Sequence, residues 1–271
     1  MFASGPTQEN LARLRDRGFI IVEPEEGRLA SGRTGKGRLA EPEVVVDVLR
    51  GVLGREGALK GKKVVVTAGG TRAHIDPVRF IGNPSTGLQG VAVAAAARDR
   101  GARVTLVLGR HEVRVPAGME VVSAPTFGEM REAVLRETAD CHALVMAAAV
   151  GDYEPARYSD QKIKKTGSGL TIELRQNPDF LLELKGDFVR VAFAAETEDL
   201  KAGAARKLAE KKVDAIVAND VSAPGAGFGS PTNTVSILRK GGKWEDVPPG
   251  PKEAVAERVI DLVVELLAAR R

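Results

Sequence analysis

A long polar loop, residues 69–87, carries the side chains best suited to chemistry. It contains the cation Arg79, the carboxamide Asn83 and the hydroxyls of Ser85 and Thr86. Connections between a strand and a helix usually span about 2–6 residues, and much longer ones are usually functional. The loop leads into an alanine-rich segment with helical character, and the free N–H groups at the start of a helix favour anions. The sequence therefore predicts a site for an anionic ligand in this loop.

Two other polar groups are candidates for contacts with the same ligand. Asp152 closely follows a hydrophobic segment, and Lys162, Lys164 and Lys165 lie in a polar stretch beyond it. The carboxyl ends of parallel strands line the ligand crevice of an open α/β sheet, which favours a contact of Asp152 with a ribose or a metal-bound phosphate. A cap or turn is the alternative role for Asp152, and a solvated basic turn is the alternative for the lysines.

A lysine pair on a predicted helix is a third candidate. Lys207 and Lys211 are four residues apart and therefore project from one helical face, about 6 Å apart. Two fixed ammonium groups can neutralise adjacent oxygens of a polyphosphate, although a solvated helix face has the same spacing. Asn177 and Pro178 open another predicted helix as a good cap and a tolerated first-turn residue. That capping role explains these two residues without a ligand, but a phosphate would also suit this helix start.

Composition narrows the classes of function. The chain has 271 residues, of which 43% are hydrophobic, as expected of a globular protein. The single cysteine, Cys141, excludes an intrachain disulfide and, with three scattered histidines, a zinc site of thiolates or imidazoles. The net charge is +4, but basic and acidic residues are interspersed and only two Tyr and one Trp could stack on bases. We expect small anionic substrates rather than nucleic acid, and a reducing cytoplasmic location without a targeting segment or membrane span.

Standard nucleotide-binding signatures are absent from the sequence. No G-x-x-x-x-G-K-[ST] motif occurs, and the glycines at 225, 227 and 229 neither reach a third correctly spaced glycine nor open a helix. These absences count against a P-loop ATPase and a typical dehydrogenase.

From Lys62 onward, hydrophobic strands and amphipathic helices alternate, a pattern typical of a parallel sheet covered by helices on both faces. The predicted strands are residues 63–67, 104–108, 119–123, 143–149, 189–194 and 214–218, and the predicted helices are residues 87–100, 127–138, 178–185, 199–212 and 251–269. The last helix spaces its apolar residues at three and four positions, so it should bury one face. Residues 234–239 and 241–244 resemble a hairpin. The prediction is an α/β fold, Rossmann-like and three-layered (α/β/α), with a mostly parallel central sheet and a C-terminal hairpin.

The first 57 residues differ from the rest. A helix over Thr7–Arg17, a strand over Phe19–Val22 and an amphipathic helix over Glu43–Leu53 flank a basic, glycine-rich stretch, residues 27–38, that cannot bury a core of its own. We therefore predict an appendage or partial domain over residues 1–57 and the main domain over residues 58–271.

Seven motifs, read in order, resemble those of phosphopantothenoylcysteine synthetase, which in most bacteria is fused behind a flavin-dependent phosphopantothenoylcysteine decarboxylase. They are D-P-V-R-F-I-G-N-P-S-T-G (76–87), A-A-A-V-G-D-Y (147–153), K-I-K-K (162–165), N-P-D (177–179), F-A-A-E-T-E (193–198), A-R-K-L-A-E-K-K (205–212) and A-N-D-V (218–221). Residues 1–57 resemble the end of the decarboxylase and its linker. The flavin-binding body is missing, and Ser31 stands where the family carries a proton-donating cysteine, so we expect neither flavin nor decarboxylation on this chain.

The resemblance implies a ligase of coenzyme A biosynthesis. The carboxylate of 4′-phosphopantothenate would attack the α-phosphate of CTP to give an acyl-cytidylate and pyrophosphate, and the amino group of L-cysteine would then displace CMP. Mg²⁺ should bridge the triphosphate oxygens, and no metal ligands are expected from the protein itself. The family is a homodimer whose active site is completed by exchanged loops, for which residues 76–83 and the alternating stretch 167–174 are candidates here.

Residue roles carry over position by position. Lys162 matches the lysine needed to form the intermediate, and Asn83 with nearby Arg79 matches the residues that hold the acyl-nucleotide and assist its conversion. Ala148 matches a position against the bound intermediate. The positions that match nucleotide contacts are Asp152, Pro178, Asp179, Phe180, Leu181, Phe193, Lys207 and Lys211. Relatives often have Glu-Pro where this chain has Ala73-His74.

Two other functions fit the predicted fold. One is a non-catalytic nucleotide-binding or regulatory module, which the presence of Lys162 and Asn83 disfavours. The other is a nicotinamide-dependent oxidoreductase, which the lack of a glycine fingerprint after Thr67 disfavours.

Overall fold

A computed structural model describes residues 1–165, 167, 169–196, 200–220, 227 and 229–270. The chain divides into two compact units. One comprises Met1–Leu53 with Pro116–Gly118, and the other comprises Gly54–Val115 with Met119–Arg271. The division falls four residues before the predicted boundary at residue 57, and the assignment of the first segment to a decarboxylase remnant stays a prediction. No helix in the described part of the chain has the length and apolarity that a membrane span needs.

The N-terminal unit contains helix α1 (Gly5–Asp16), an antiparallel hairpin of β1 (Glu25–Arg28) and β2 (Thr34–Arg38), and helix α2 (Pro42–Leu53). Ala40 is its one buried residue among positions 1–53. The predicted strand over Phe19–Val22 is wrong, because that segment has no strand partner. The glycine-rich basic stretch forms the hairpin instead, with Gly32 at a φ of 79° in the connecting turn, where a side chain would be strained.

The larger unit is built around one eight-stranded sheet. Its strands are β3 (Lys63–Ala68), β6 (Arg103–Leu108), β7 (Glu120–Ser123), β8 (Ala143–Met146), β11 (Val189–Glu196), β12 (Ala215–Asp220), β13 (Thr232–Arg239) and β14 (Trp244–Pro251). They lie in the order β14-β13-β12-β11-β8-β3-β6-β7, and the six from β7 to β12 are parallel. This order is that of a doubly wound fold whose direction reverses between β3 and β8. The predicted mostly parallel, Rossmann-like α/β sheet is confirmed.

Helices cover both faces of this sheet. One apolar layer packs α3 (Leu88–Arg98) and α6 (Lys252–Ala269) on it, and the other packs α4 (Phe127–Glu137) and α5 (Leu200–Glu210) on the opposite face. All six residues of β3 are buried, as expected for a central parallel strand without polar–apolar alternation. In α6, Val255, Val259 and Leu262 are buried, which is the face that the spacing predicts.

Three predicted elements differ in the structure. The predicted helix 178–185 is a short 3₁₀ turn, Phe180–Glu183, and the predicted strand 143–149 ends at Met146. The long loop after β3 contains a small hairpin of β4 (Arg72–His74) and β5 (Phe80–Gly82). A second small hairpin pairs β9 (Tyr153–Pro155) with β10 (Leu174–Gln176). Of the described residues in the alternating stretch 167–174, only Leu174 belongs to a strand, and it pairs with Pro155 of β9.

The C-terminal hairpin of β13 and β14 forms an antiparallel edge of the sheet. The predicted second arm, residues 241–244, starts too early, because Lys240 and Gly241 form the turn and the strand begins at Trp244. Glu245 on β14 accepts hydrogen bonds from Arg258 Nη2 of α6 at 2.7 Å and from Arg239 Nη2 of β13 at 3.1 Å. The bond from Arg258 is the main cause that lowers the pKa of Glu245 to about 2, against the opposing effect of burial.

Replacing Glu245 by Gln tests this ion pair. We expect a loss of about 1–2 kcal/mol in the free energy of unfolding at pH 7, since the pair is partly exposed and charged hydrogen bonds of this kind contribute modestly. The pKa of Glu245 is lower in the folded protein than its usual 4.5, so its contribution is complete above that pH and is lost as the pH falls toward 2. Urea unfolding of both proteins at about pH 7 and about pH 3.5 measures the difference, which should shrink at the lower pH. An unchanged difference would contradict the ion-pair explanation.

Candidate active site

A cavity of about 450 Å³ opens at the carboxyl ends of β3 and β8, where the strand order reverses. Its wall combines the start of α3, the segment after β8, the turn around Phe180, the end of β11, Lys207 on α5 and Lys211 just after that helix. Ten of the residues that sequence singled out line it: Asn83, Ala148, Asp152, Pro178, Asp179, Phe180, Leu181, Phe193, Lys207 and Lys211. Segments more than 120 residues apart in the chain therefore meet at one site.

Two buried threonine hydroxyls shape the wall after β8. Thr67 Oγ1 accepts hydrogen bonds from the backbone N–H groups of Ala147 and Ala148, each at 3.1 Å. Thr71 Oγ1 accepts one from Gly151 at 2.8 Å. At these bonds the regular ladder between β3 and β8 is interrupted after Met146, and pairing resumes only as a single parallel bridge between Gly70 and Ala149. The strand β8 therefore ends earlier than its apolar sequence predicts.

The turn that carries Pro178 to Leu181 is fixed from both sides. Asn177 Nδ2 donates to the Gly151 carbonyl at 2.9 Å, and its N–H donates to the Asp152 carbonyl at 2.8 Å. The Asp179 carboxylate accepts from the Leu181 N–H at 3.1 Å and from Lys211 Nζ at 2.7 Å. The capping role expected for this turn is therefore held by Asp179, which also pairs with one of the two lysines.

Arg79 and Lys162 do not line the cavity of their own chain. Arg79 belongs instead to a set that we call the Asp76 clamp, made of Asp76, Arg79 and Ile163. Arg79 Nη2 lies 2.6 Å from Asp76 Oδ2 and 2.6 Å from the Ile163 carbonyl oxygen, and the Ile163 N–H donates to Asp76 Oδ2 at 3.1 Å. The clamp thus ties the tip of the β4–β5 hairpin to the segment that carries Lys162.

The Asp76 side chain is fully buried. Burial alone raises the pKa of this carboxyl, but the backbone N–H groups of Val78, Arg79 and Ile163 and the Arg79 guanidinium outweigh it, so the pKa lies well below its usual value. The carboxylate stays ionised, which keeps all of its acceptor sites available to the clamp.

Sequence reasoning missed four polar residues of the cavity: Gln89, Gln176, Asn233 and Lys252. Lys252 is the first residue of α6 and is only 4% exposed, and Asn233 on β13 is equally buried. The apolar periodicity of α6 marks that helix as core and contains no signal for a polar group at its start.

The remaining titratable candidates lie outside the cavity. Burial raises the pKa of the Cys141 thiol to about 12, which suits packing and not nucleophilic attack. His142 Nδ1 accepts a hydrogen bond from the Lys63 N–H at 3.1 Å. Across the residues that the structure describes, no group of three or more His, Cys, Asp or Glu side chains comes close enough to hold a metal ion.

Comparison with known proteins identifies the family. The model of the DNA/pantothenate metabolism flavoprotein C-terminal domain matches residues 59–267. The chain belongs to this family. The resemblance read from the seven motifs is thereby confirmed.

Two curated relatives show how far the similarity extends. The coenzyme A biosynthesis bifunctional protein CoaBC of Bacillus subtilis (strain 168) is 42% identical over 272 residues, which cover 98% of this chain and 67% of that protein. A protein named cysteine/cysteine sulfinic acid decarboxylase, from an unknown prokaryotic organism, is 40% identical over 270 residues, covering 96% of this chain and 75% of the relative.

Solved structures of the family share the fold. The crystal structure of the C-terminal domain of CoaBC has a TM-score of 0.68 at 33% identity and covers 79% of this chain and 99% of that domain. A Cab2 mutant in complex with phosphopantothenate-cysteine has a TM-score of 0.63 at 16% identity, covering 84% of this chain and 91% of its own, a likeness of fold alone.

The Thr67 hydroxyl offers a direct test of how this family member builds its cavity wall. In Thr67→Val the Ala148 N–H loses its acceptor, and the Ala147 N–H keeps only a 3.3 Å bond to the Thr67 carbonyl. We expect a loss of about 1 kcal/mol in the free energy of unfolding, because a half-buried donor is left without its protein acceptor. Thr67→Ser, which keeps the hydroxyl, is the control. Urea unfolding of the three proteins measures the effect, and equal stabilities of the Val and Ser variants would contradict it.

Proposed function

We propose that this chain is a phosphopantothenate–cysteine ligase of coenzyme A biosynthesis that uses CTP and acts in the cytoplasm. The observation that carries the proposal is the cavity at the β3–β8 switch point, which gathers ten positions that match nucleotide and intermediate contacts in the resembled synthetases. The family membership and the 42% identity to a bifunctional coenzyme A biosynthesis protein support the same reaction.

The reaction needs activation of a carboxylate, because a carboxylate is a poor acylating agent. A carboxylate oxygen of 4′-phosphopantothenate attacks the α-phosphorus of CTP, and the bond from that phosphorus to the bridging oxygen breaks to release pyrophosphate. The cysteine nitrogen then attacks the acyl carbon of the mixed anhydride, loses a proton and displaces CMP. Both steps build negative charge on phosphate oxygens, which fixed cations stabilise.

The cavity contains groups suited to these steps. Lys207 on α5 and Lys211, just after the end of that helix, supply positive charge beside the turn from Pro178 to Leu181. That turn matches a nucleotide contact in the resembled synthetases. Asn83, Ala148 and Asp152 also line the cavity, the last two in the segment after β8. In this proposal Asn83 and Ala148 contact the acyl group and Asp152 contacts the nucleotide. Mg²⁺ bound with the triphosphate would supply positive charge at the phosphates, in addition to that of Lys207 and Lys211.

We further propose a homodimer in which each cavity is completed by the partner. Lys162 and Arg79 have central roles in the resembled synthetases but do not line the cavity of their own chain. A partner chain that presented the β4–β5 and β9–β10 hairpins would supply both. The exposed apolar side chains on these hairpins, Val78, Phe80, Tyr153 and Leu174, support a protein contact there.

The ligase reaction is tested by pyrophosphate release. With phosphopantothenate and Mg²⁺, we expect turnover with CTP to exceed turnover with ATP and to rise when cysteine is added. Lys162→Gln should lower pyrophosphate release by at least about 100-fold, because it removes the cation at the developing charge. Lys164→Gln, which changes a neighbouring exposed lysine, is the control. No release with either nucleotide would favour a non-catalytic nucleotide-binding module.

Mixed dimers test whether Lys162 acts across the interface. Lys162→Gln and Lys207→Gln should each be inactive alone. If Lys162 serves the partner's cavity, subunits exchanged at a 1:1 ratio should regain about a quarter of wild-type activity, since half of the dimers then contain one intact site. Absence of recovery in a mixture whose heterodimers are verified by native mass spectrometry would place Lys162 in its own subunit's site. A fully active monomer in sedimentation would overturn the dimer.

A further inference from the structure

One end of the cavity, which we call the α3 end, is built from the start of α3, the start of α6, Gly227 and Asn233. Gln89 Nε2 donates to the Lys252 carbonyl at 3.1 Å, and Asn233 Nδ2 donates to Gln89 Oε1 at 3.2 Å. Lys252 Nζ donates to the Gly227 carbonyl at 3.2 Å. The Lys252 N–H is also bonded, to the Pro231 carbonyl at 3.0 Å. The backbone around the ammonium group is therefore held in place on several sides.

The Lys252 ammonium is buried without a carboxylate partner among the described residues. Its side chain lines the cavity, the residue is 4% exposed, and its one hydrogen bond goes to a neutral carbonyl. Burying an ammonium group is costly unless an opposite charge accompanies it. Burial accordingly lowers the pKa of Lys252, and the exposed Glu253 opposes this shift only weakly. The buried Lys252 ammonium therefore lacks the opposite charge that would offset the cost of its burial.

The positions of the carboxylates along the cavity also indicate that Lys252 has no anionic partner among the described residues. Among the described lining residues the carboxylates are Asp152 and Asp179, and both lie at the opposite end, next to Asn177. Asp179 is already paired with Lys211. Among the described residues, the α3 end thus holds a cation and two carboxamides but no carboxylate.

We infer that Lys252, with Gln89 and Asn233, forms a phosphate subsite that binds a phosphate group of one of the two phosphorylated reactants. The assignment of those reactants rests on the proposed ligase function. The N-terminus of α3 supports the choice of a phosphate as the ligand. Its cap residue is Gly87, which has a left-handed conformation and no side chain that could accept hydrogen bonds from the first N–H groups of the helix. Such N–H groups favour an anion. Lys207 and Lys211 serve the other end of the same cavity.

Binding measurements on Lys252→Met test the subsite. Methionine keeps the length and most of the volume of the side chain but removes its charge, and Lys252→Arg keeps the charge. Lys243→Met, on the exposed turn before β14, is the matched control. Dissociation constants for inorganic pyrophosphate, CTP and 4′-phosphopantothenate would be measured by calorimetry on all four proteins, without turnover.

We expect Lys252→Met to raise the dissociation constants of pyrophosphate and of one of the two reactants by about tenfold or more, and to change that of the other reactant by less than about twofold. Weaker binding of CTP would assign the subsite to the triphosphate. Weaker binding of phosphopantothenate would assign it to the terminal phosphate of that substrate. Lys252→Arg should retain most of the affinity. Unchanged binding of all three ligands to a folded Lys252→Met protein would overturn the inference.

A second measurement serves if Lys252→Met does not fold. In the wild-type protein, pyrophosphate should protect Lys252 from reductive methylation relative to Lys243, as read by mass spectrometry. Equal labelling with and without saturating pyrophosphate would also overturn the subsite. A protein that passes these tests but releases no pyrophosphate in the turnover assay would disprove the ligase proposal and leave the subsite standing, so the two failures can be told apart.

Discussion

Pairing of β3 with β8 is the constraint on which the whole site depends. The two strands are hydrogen-bonded neighbours. The strands that follow β3 lie on one side of the pair, and the strands that follow β8 lie on the other. This reversal of strand order leaves a crevice at the carboxyl ends of β3 and β8. Beyond the two strands, a single parallel bridge between Gly70 and Ala149 remains, and other backbone groups need side-chain partners. Thr67 and Thr71, at the end of β3 and just beyond it, supply acceptors for the N–H groups that β8 leaves behind. The cavity wall is thus a product of the same strand pair that forms the core.

Polar side chains hold the loops of the site, in addition to the apolar packing of Phe180 and Leu181. Asp76 gathers backbone N–H groups from the β4–β5 hairpin and from Ile163, and Asp179 joins its own turn to α5 through Lys211. Each of these carboxylates is matched by donors. The Lys252 ammonium differs, because it has no carboxylate partner among the described residues. Asp76 and Asp179 therefore stabilise the loops of the site, whereas Lys252 is suited to bind an anionic ligand.

Sequence periodicity predicts the parallel sheet, its helices and the cavity-lining segments because these follow from local apolar patterns and from the rule that strand ends collect ligand contacts. It fails where a long-range hydrogen bond decides the outcome. The strand predicted to reach residue 149 stops at Met146 because of a hydroxyl on Thr67, eighty residues away. The 3₁₀ turn at Phe180 is fixed by Asp179 and Lys211, and the hairpin after Thr71 by Asp76. Lys252 is invisible to the pattern because one polar residue at the start of a helix does not alter the apolar stripe behind it.

The edge strand β14 has a consequence for self-association. Pro248, Pro249 and Pro251 lack backbone N–H groups, so this border of the sheet cannot offer a regular row of donors to another strand. These prolines occupy the second half of β14, so they oppose extension of the sheet by a second chain there and protect that part of the border from edge-to-edge aggregation. A contact between copies at this half of β14 would therefore be made through side chains and not through a continuous shared ladder.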